Sequence, residues 1–328
     1  MKSIKNIIVL YLLLATLSNI YGQDYPRYTV EMPSKTSAES LEKQLLSGEV
    51  ILSQIEIFPF EQIYKTNKNI KSLTICISSK LNNVTENIKK LKSLKKIDIY
   101  GVSLTEFPVG LCYIDSLIDL RYINNQTSVI PKEIGKLKNL KILRFETLPI
   151  KEIPKEIGNL KNLEELYIQS NANILNVMIA DSIFKLEGIN YLPKEIGRLK
   201  ALKKLTLANN NLQKIPSEIG LLSNLTCLKI GMNNLKTIPL EIFNLINLEI
   251  LSLSNNPLNE LSENIGNLKN LKVLELYDCK LKTLPKSIEN LKKLERLNVE
   301  KNDISEEELI EIKKKLPNTQ IYNGKIIK

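Results

Sequence analysis

From residue 84 to residue 306 the sequence repeats with a period of 23. Residues 192–214 read LPKEIGRLKALKKLTLANNNLQK. They are followed without a slip by IPSEIGLLSNLTCLKIGMNNLKT (215–237), IPLEIFNLINLEILSLSNNPLNE (238–260), LSENIGNLKNLKVLELYDCKLKT (261–283) and LPKSIENLKKLERLNVEKNDISE (284–306). Upstream, units starting at 84, 107 and 130 hold the same register. The unit starting at 153 opens identically (IPKEIGNLKNLEELYIQSN) but runs 39 residues, to 191, and a looser unit fills 60–83. One such unit cannot bury its own apolar face, so a fixed period of this length predicts a stacked array with a continuous core.

The pattern within the unit says how the stack is made. In LxxLxL the last two leucines, two residues apart, point to one side of a short strand. Strands of successive units are expected to pair in parallel at about 4.8 Å, with the leucines piled inward. Counting each unit from its Leu-Pro or Ile-Pro start, Asn recurs at position 19 as Asn125, Asn171, Asn210, Asn233, Asn256 and Asn302. Its amide can satisfy backbone groups where the chain leaves the strand. Val102, Leu148 and Cys279 interrupt that ladder. The Pro-x-Glu-Ile-Gly stretch is the return on the convex side, its Pro fixing φ and its Ile plugging the core from behind. With 55 Leu and 44 Ile, no Trp and only 5% aromatics, the core is expected to be one thin layer repeated, without a bulky centre.

The motif LPxEIGxLxxLxxLxLxxNxLxx resembles the 23-residue class of leucine-rich repeats, found in bacterial repeat proteins and similar to the plant intracellular Ras-group repeats. The resemblance implies an α/β solenoid: a horseshoe with a parallel concave sheet, an irregular or 3-10 convex side and helical caps. It implies fold far more specifically than function, because one scaffold hosts many roles.

What is missing narrows the function. The chain has no His. A Ser-His-Asp triad, a Cys-His dyad, a His-ligated zinc and an imidazole base are therefore all excluded. No phosphate-binding loop, dinucleotide fingerprint or metal cluster is present, and carboxylate pairs such as Asp98 with Glu146 would lie on an open curved surface. The reading is a protein that is not an enzyme and uses no cofactor. Of its 46 basic residues against 36 acidic, 41 are Lys and five are Arg. Specific base readout favours Arg, so no specific nucleic-acid partner is expected, and the Lys excess reads as a solvated surface.

Residues 1–22 have the parts of a secretory signal: Lys2 and Lys5, then an apolar run from Ile7 to Leu17, then small residues up to Gly22. Eleven apolar residues are too few to span a bilayer, which takes about 20. Cleavage after Gly22 or Ser18 is expected, giving a secreted, periplasmic or cell-surface protein with no transmembrane span in the mature chain. Residues 23–59 read as an N-terminal extension and cap, with Thr36 and Glu39 opening a helix near 37–47 and a covering strand within 50–58. Residues 60–306 are the repeats. Residues 307–328 form a C-terminal cap, in which Ser305 and Glu308 match a capping box before the helix EEELIEIKKKL and Ile321 and Tyr322 form a last strand. An insertion over about 173–188 carries apolar residues at helical spacing, with Asn173 as N-cap and Gly188 as the residue after the helix. The sequons at Asn83, Asn125 and Asn224 matter only in a eukaryotic secretory host. The four Cys fall at unit positions too far apart to pair, so no disulfide is expected, with Cys279 a buried stand-in for a ladder Asn.

Recognition is assigned to the concave face, where positions 13, 15, 17 and 18 project from the strands. The partner-binding candidates at position 15 are Asp98, Arg121, Arg144, Tyr167, Lys229 and Glu275. Those at position 17 are Tyr100, Ile123, Glu146, Gln169 and Tyr277. Two Arg and two Tyr in the first four units have the composition of an interaction hot spot. The leading expectation is an exported binding protein with a protein ligand on this face. The alternatives are an envelope or adhesive component holding polyanionic surface glycans, and an intracellular signalling scaffold if the N-terminus is not a signal.

Overall fold

The computed structural model describes residues 47–53, 63–65, 69–76, 87–101, 104–123, 125–170 and 188–328, all within one compact unit, Lys35–Lys328. The expected signal segment, the helix near 37–47, ladder residue Asn171 and the body of the insertion lie outside the described residues. Among those described, thirteen strands make one sheet in chain order. They are β1 (Glu49–Ser53), β2 (Ser72–Cys76), β3 (Lys96–Tyr100), β4 (Asp119–Ile123), β5 (Ile142–Glu146), β6 (Glu165–Gln169), β7 (Lys204–Thr206), β8 (Cys227–Lys229), β9 (Ile250–Ser252), β10 (Val273–Glu275), β11 (Arg296–Asn298), β12 (Gln320–Tyr322) and β13 (Ile326–Ile327).

The pairing follows the period. Asp98 faces Arg121, Arg121 faces Arg144 and Leu274 faces Leu297, each 23 residues on, and the strands run parallel up to β12. Across the insertion Leu166 faces Leu205, so the extra residues leave the sheet without breaking it. Strands β3 to β6 have five residues and β7 to β11 have three. Residues at position 16 of the longer strands are β-branched or aromatic (Ile99, Tyr122, Phe145, Ile168), whereas three of the five shorter strands run into a small residue at position 17 (Ala208, Gly231, Ser254).

Positions 14 and 16 are buried along the whole array, as the spacing predicts. The core is not uniformly thin, however. Phe107, Tyr122 and Phe145 pack together with ring centroids 5.2, 6.0 and 6.3 Å apart, beneath β4 and β5. The buried Tyr122 hydroxyl donates to Thr127 Oγ1 at 2.6 Å, and Thr127 in turn donates to the carbonyl of Leu104 at 3.0 Å. Few aromatics in the sequence did not mean scattered ones.

The ladder forms. The Asn256 amide donates to the carbonyls of Ile230 and Leu253, at 3.1 and 2.7 Å, and its oxygen accepts from Leu235 N–H at 3.1 Å. Asn210, Asn233 and Asn302 do the same in their units. Cys279 is indeed a partial substitute: its thiol reaches the Leu253 carbonyl at 3.4 Å, while Leu258 N–H, deprived of an amide oxygen, turns to the carbonyl of Asn256. Burial pushes the Cys279 thiol up to about 12. All four Cys are free. Sequon residue Asn125 is buried in the ladder and is closed to modification.

Two features were not anticipated. A second, exposed ladder runs along position 10, where Asn139, Asn162, Asn224, Asn247 and Asn270 each donate to a carbonyl of the preceding unit at 2.8 to 2.9 Å. Position 18 adopts the left-handed region in Gly101, Thr147, Asn209, Met232, Asn255, Asp278 and Lys301, turning the chain out of each strand; φ is 54° even at the β-branched Thr147. On the convex side, as the resemblance implies, each unit from 107 onward makes one 3-10 turn behind a Pro with φ between −63° and −70°, or behind Ser262, whose hydroxyl accepts from Asn264 N–H instead. The Gly at position 6 of these turns is there for space. A Cβ on Gly135, Gly158, Gly197 or Gly220 would stand 2.5 to 2.6 Å from a backbone oxygen of the next turn.

The C-terminal cap is a helix, α1 (Glu306–Lys315), capped by the Ser305 hydroxyl accepting from Glu308 N–H at 3.2 Å. Only this half of the expected capping box exists. The Glu308 carboxylate points away, accepting from Thr283 Oγ1 and Leu284 N–H at 2.8 and 2.7 Å, and so ties the cap to the last full repeat. Gly188 also corrects an expectation. Its φ is not left-handed; it is packed where a Cβ would meet Ser170 Oγ at 2.5 Å and Asn210 Cα at 2.8 Å. It serves as the point where the insertion rejoins the stack, and the helix it was expected to end lies outside the described residues.

Candidate recognition face

Parallel in-register pairing gathers the predicted residues into two rows across the strands. Asp98, Arg121, Arg144 and Tyr167 are consecutive partners on β3 to β6, and Tyr100, Ile123, Glu146 and Gln169 form the row beside them. Lys229 and Glu275 continue the first row on β8 and β10, and Tyr277 follows β10 just beyond its last residue. The residues were placed from spacing alone, and adjacency in the sheet is what makes them one surface.

The surface is electrostatically knitted. Arg121 makes a two-pronged contact with Asp119, Nε to Oδ1 at 3.2 Å and Nη2 to Oδ2 at 3.0 Å, and lies 3.7 Å from Asp98. Asp98 also pairs with Lys96 at 3.0 Å. Arg144 reaches Glu165 at 3.4 Å and Glu146 at 3.9 Å, and its guanidinium lies over the Tyr167 ring at 4.3 Å. Glu165 pairs in turn with Lys204 at 2.7 Å. Four of these partners, Lys96, Asp119, Glu165 and Lys204, sit at position 13. The signal that could have found them is their i, i+2 relation to position 15 on the same strand face.

Burial has consequences for the carboxylates. Asp98 Oδ1 and Glu146 Oε1 are shielded from water and accept no hydrogen bond, although each lies within ion-pairing reach of an Arg. Desolvation pushes both carboxyls above their ordinary values, against the lowering effect of Lys96 and Arg121 on Asp98 and of Arg144 and Arg121 on Glu146. Ile123 is almost fully covered and works as floor beneath these charges. Further along, Glu275 pairs with Arg296 at 2.9 Å and the Lys301 ammonium lies 5.0 Å from the Tyr277 ring centre. Burial pushes the Cys76 thiol, which faces Tyr100 across the sheet, up to about 11, the reverse of what a nucleophile needs. Among the described residues no cluster of three or more His, Cys, Asp or Glu could hold a metal, and no helix is long and apolar enough to cross a membrane.

Known proteins agree with this geometry. Leucine-rich repeat-containing protein 10 of Bos taurus is 31% identical over 65 residues, 20% of this chain and 23% of that protein, so the match spans under a quarter of the relative. Among solved structures, a plant peptide hormone receptor, RGFR1 in complex with RGF2, shares 22% identity over 84% of this chain and 46% of its own, with a TM-score of 0.61. An internalin of Listeria monocytogenes shares 17% identity over 85% of this chain and 88% of its own, with a TM-score of 0.55. At these identities the two structures establish the fold alone. A family model described as a leucine-rich repeat region matches residues 69–188, 182–254 and 239–316, most of the chain. With its period, its parallel sheet and its asparagine ladder, the chain belongs to the leucine-rich repeat family, whose members are typically non-enzymatic protein-interaction modules.

Proposed function

We propose that this chain is an exported, non-enzymatic binding protein that takes a protein ligand on the concave stretch of β3 to β6. The observation that carries the reading is the Arg144–Tyr167 stack held from both sides by Glu146 and Glu165. An Arg and an aromatic ring fixed in place lose little side-chain freedom when a partner closes over them. Tyr100 flanks the same patch across Arg121, so an aromatic stands on either side of the charged centre. The plant receptor of this fold, in complex with RGF2, adds support of a general kind.

Crosslinking mass spectrometry on the protein at its native surface would identify the ligand. The expected test result is then that Tyr100→Ala with Tyr167→Ala, and separately Arg121→Ala with Arg144→Ala, weaken that ligand by more than about tenfold, against under about twofold for Lys132→Ala with Lys155→Ala on the convex side. Equal losses from concave and convex pairs would reject the concave assignment. Export is tested independently: the mature N-terminus should begin after Ser18 or Gly22, and an intact Met1 would favour the intracellular scaffold.

A further inference from the structure

Five successive convex turns, Lys132–Lys136, Lys155–Asn159, Lys194–Arg198, Ser217–Leu221 and Leu240–Asn244, touch backbone to backbone through Gly135, Gly158, Gly197 and Gly220. They form one continuous surface, and its outward positions 3, 7 and 9 divide sharply. In the first three turns eight of these nine positions are Lys or Arg; in the next two, none of six is. Each of these three turns also carries one partly exposed carboxylate, Glu133, Glu156 or Glu195, but the cations form no ion pair with them. Lys138, Lys161 and Lys200 donate to the neutral carbonyls of Gly135, Arg198 and Leu221 at 2.7, 3.3 and 2.7 Å, and among the described residues none of the eight pairs with a carboxylate. They also crowd one another. Partial burial, then repulsion from Arg198, Lys138 and Lys200, holds the Lys161 ammonium below its ordinary value.

The adjoining turns expose aliphatic side chains where the others carry Lys. Leu221, Leu240 and Ile246 are 52%, 56% and 61% exposed. The first two flank the Gly220–Glu241 backbone contact, and Asn247, next to Ile246, reaches the carbonyl of Ser223, so the three lie on two units stacked on each other. Unit 238–260 contains no Lys in a chain with 41.

We propose that this five-turn surface docks on anionic lipid bilayers, with Lys138, Lys161, Arg198 and Lys200 over the headgroups and Leu221, Leu240 and Ile246 entering the interface. A crowd of unpaired cations is relieved by an anionic surface, and aliphatic side chains beside it gain from leaving water. The choice of a bilayer over a soluble polyanion rests on that adjacency, since a polyanion has no use for the aliphatic side chains. Glu241, the exposed carboxylate between Leu240 and Ile242, limits the strength of the contact. The inference is independent of the concave ligand.

The test is cosedimentation of the full chain with vesicles of phosphatidylcholine alone and of phosphatidylcholine with phosphatidylglycerol. Pelleting is expected only with the anionic lipid. It should fall by about tenfold in Lys138→Gln/Lys161→Gln/Lys200→Gln and again in Leu221→Ser/Leu240→Ser/Ile246→Ser, with neither variant destabilised because all six side chains are exposed. The chain has no Trp, so Leu240→Trp is a single reporter whose emission should shift to the blue on anionic vesicles. No binding to phosphatidylglycerol vesicles overturns the proposal. Undiminished binding by the aliphatic variant also overturns it, leaving a purely electrostatic polyanion surface such as one for glycans. Concentration-dependent self-association abolished by that same variant would overturn it too, by showing a second copy on the patch.

Discussion

The concave strands β3 to β6 and the convex turns between Lys132 and Arg198 carry similar charged residues and treat them in opposite ways. On the concave face Arg121 and Arg144 are sandwiched between carboxylates and mostly covered, with side-chain exposures of 22% and 14%. On the convex face the cations reach backbone carbonyls or water, and their like charges lie side by side. The difference is geometric. On parallel in-register strands the carboxylates at positions 13 and 17, Asp119, Glu165 and Glu146, stand beside the Arg at position 15 on the same or the next strand, so opposite signs meet even though Arg121 faces Arg144. A convex row repeats the same Lys at each step and has nothing opposite it. One face has its electrostatics settled internally, and the other leaves them open to a partner.

The strongest way to break this contrast is through the ladder that supports the concave edge. Asn256→Ala removes its donated bonds, leaves Leu235 N–H buried without a partner, and leaves the Ile230 and Leu253 carbonyls only Asn233 and the weak Cys279 thiol; it should cost about 3 kcal/mol in denaturant unfolding. Asn247→Ala in the exposed ladder removes a similar bond to the Ser223 carbonyl, where water substitutes, and should cost below about 1 kcal/mol. If the two cost the same, burial is not what separates the ladders.

Next in size is Gly197→Ala. The added Cβ would stand 2.5 Å from Glu218 O and 2.9 Å from Glu218 Cβ, backbone and near-backbone atoms that cannot swing aside. A loss of about 2 kcal/mol is expected, with a matching fall in vesicle binding if the five turns act as one surface.

Glu146→Gln sharpens the concave half. Because burial raises the Glu146 value above the ordinary 4.5, the protonated carboxyl is favoured in the folded state. The associated stability is present at low pH and is lost as pH rises through the folded value. Glutamine mimics the protonated form, so the variant should be about 1 kcal/mol more stable than the parent at pH 8 and indistinguishable from it at pH 4, measured by chemical denaturation. A loss of stability at pH 8 would mean that the Arg144 pair outweighs desolvation.

The smallest effect belongs to the convex cations. Lys138→Gln with Lys161→Gln should raise stability by no more than about 0.5 kcal/mol at low salt, and the gain should fade as salt screens the repulsion being removed. The corresponding concave change, Arg144→Gln, should destabilise, because it strands Glu146 and Glu165 on a half-buried surface.

Much of this was legible before any coordinates. The period alone fixes a strand in each unit, the buried partners at 14 and 16, the asparagine at 19 and the free cysteines, because each follows from side-chain alternation and from the spacing between stacked units. The exposed ladder was equally legible, since Asn recurs at position 10 in five units. Other features needed the third dimension. The left-handed turn at position 18 is occupied by Thr, Met and Lys as well as Asn and Gly, so composition carries no mark of it. The Phe107–Tyr122–Phe145 cluster joins the two ends of one unit to the next unit, and Glu308 prefers the neighbouring repeat to its own helix start. Local pattern decides what each unit does. Which charge meets which, and which glycine has no room for a methyl group, depends on what the next unit places opposite it, and only packing one unit on another decides that.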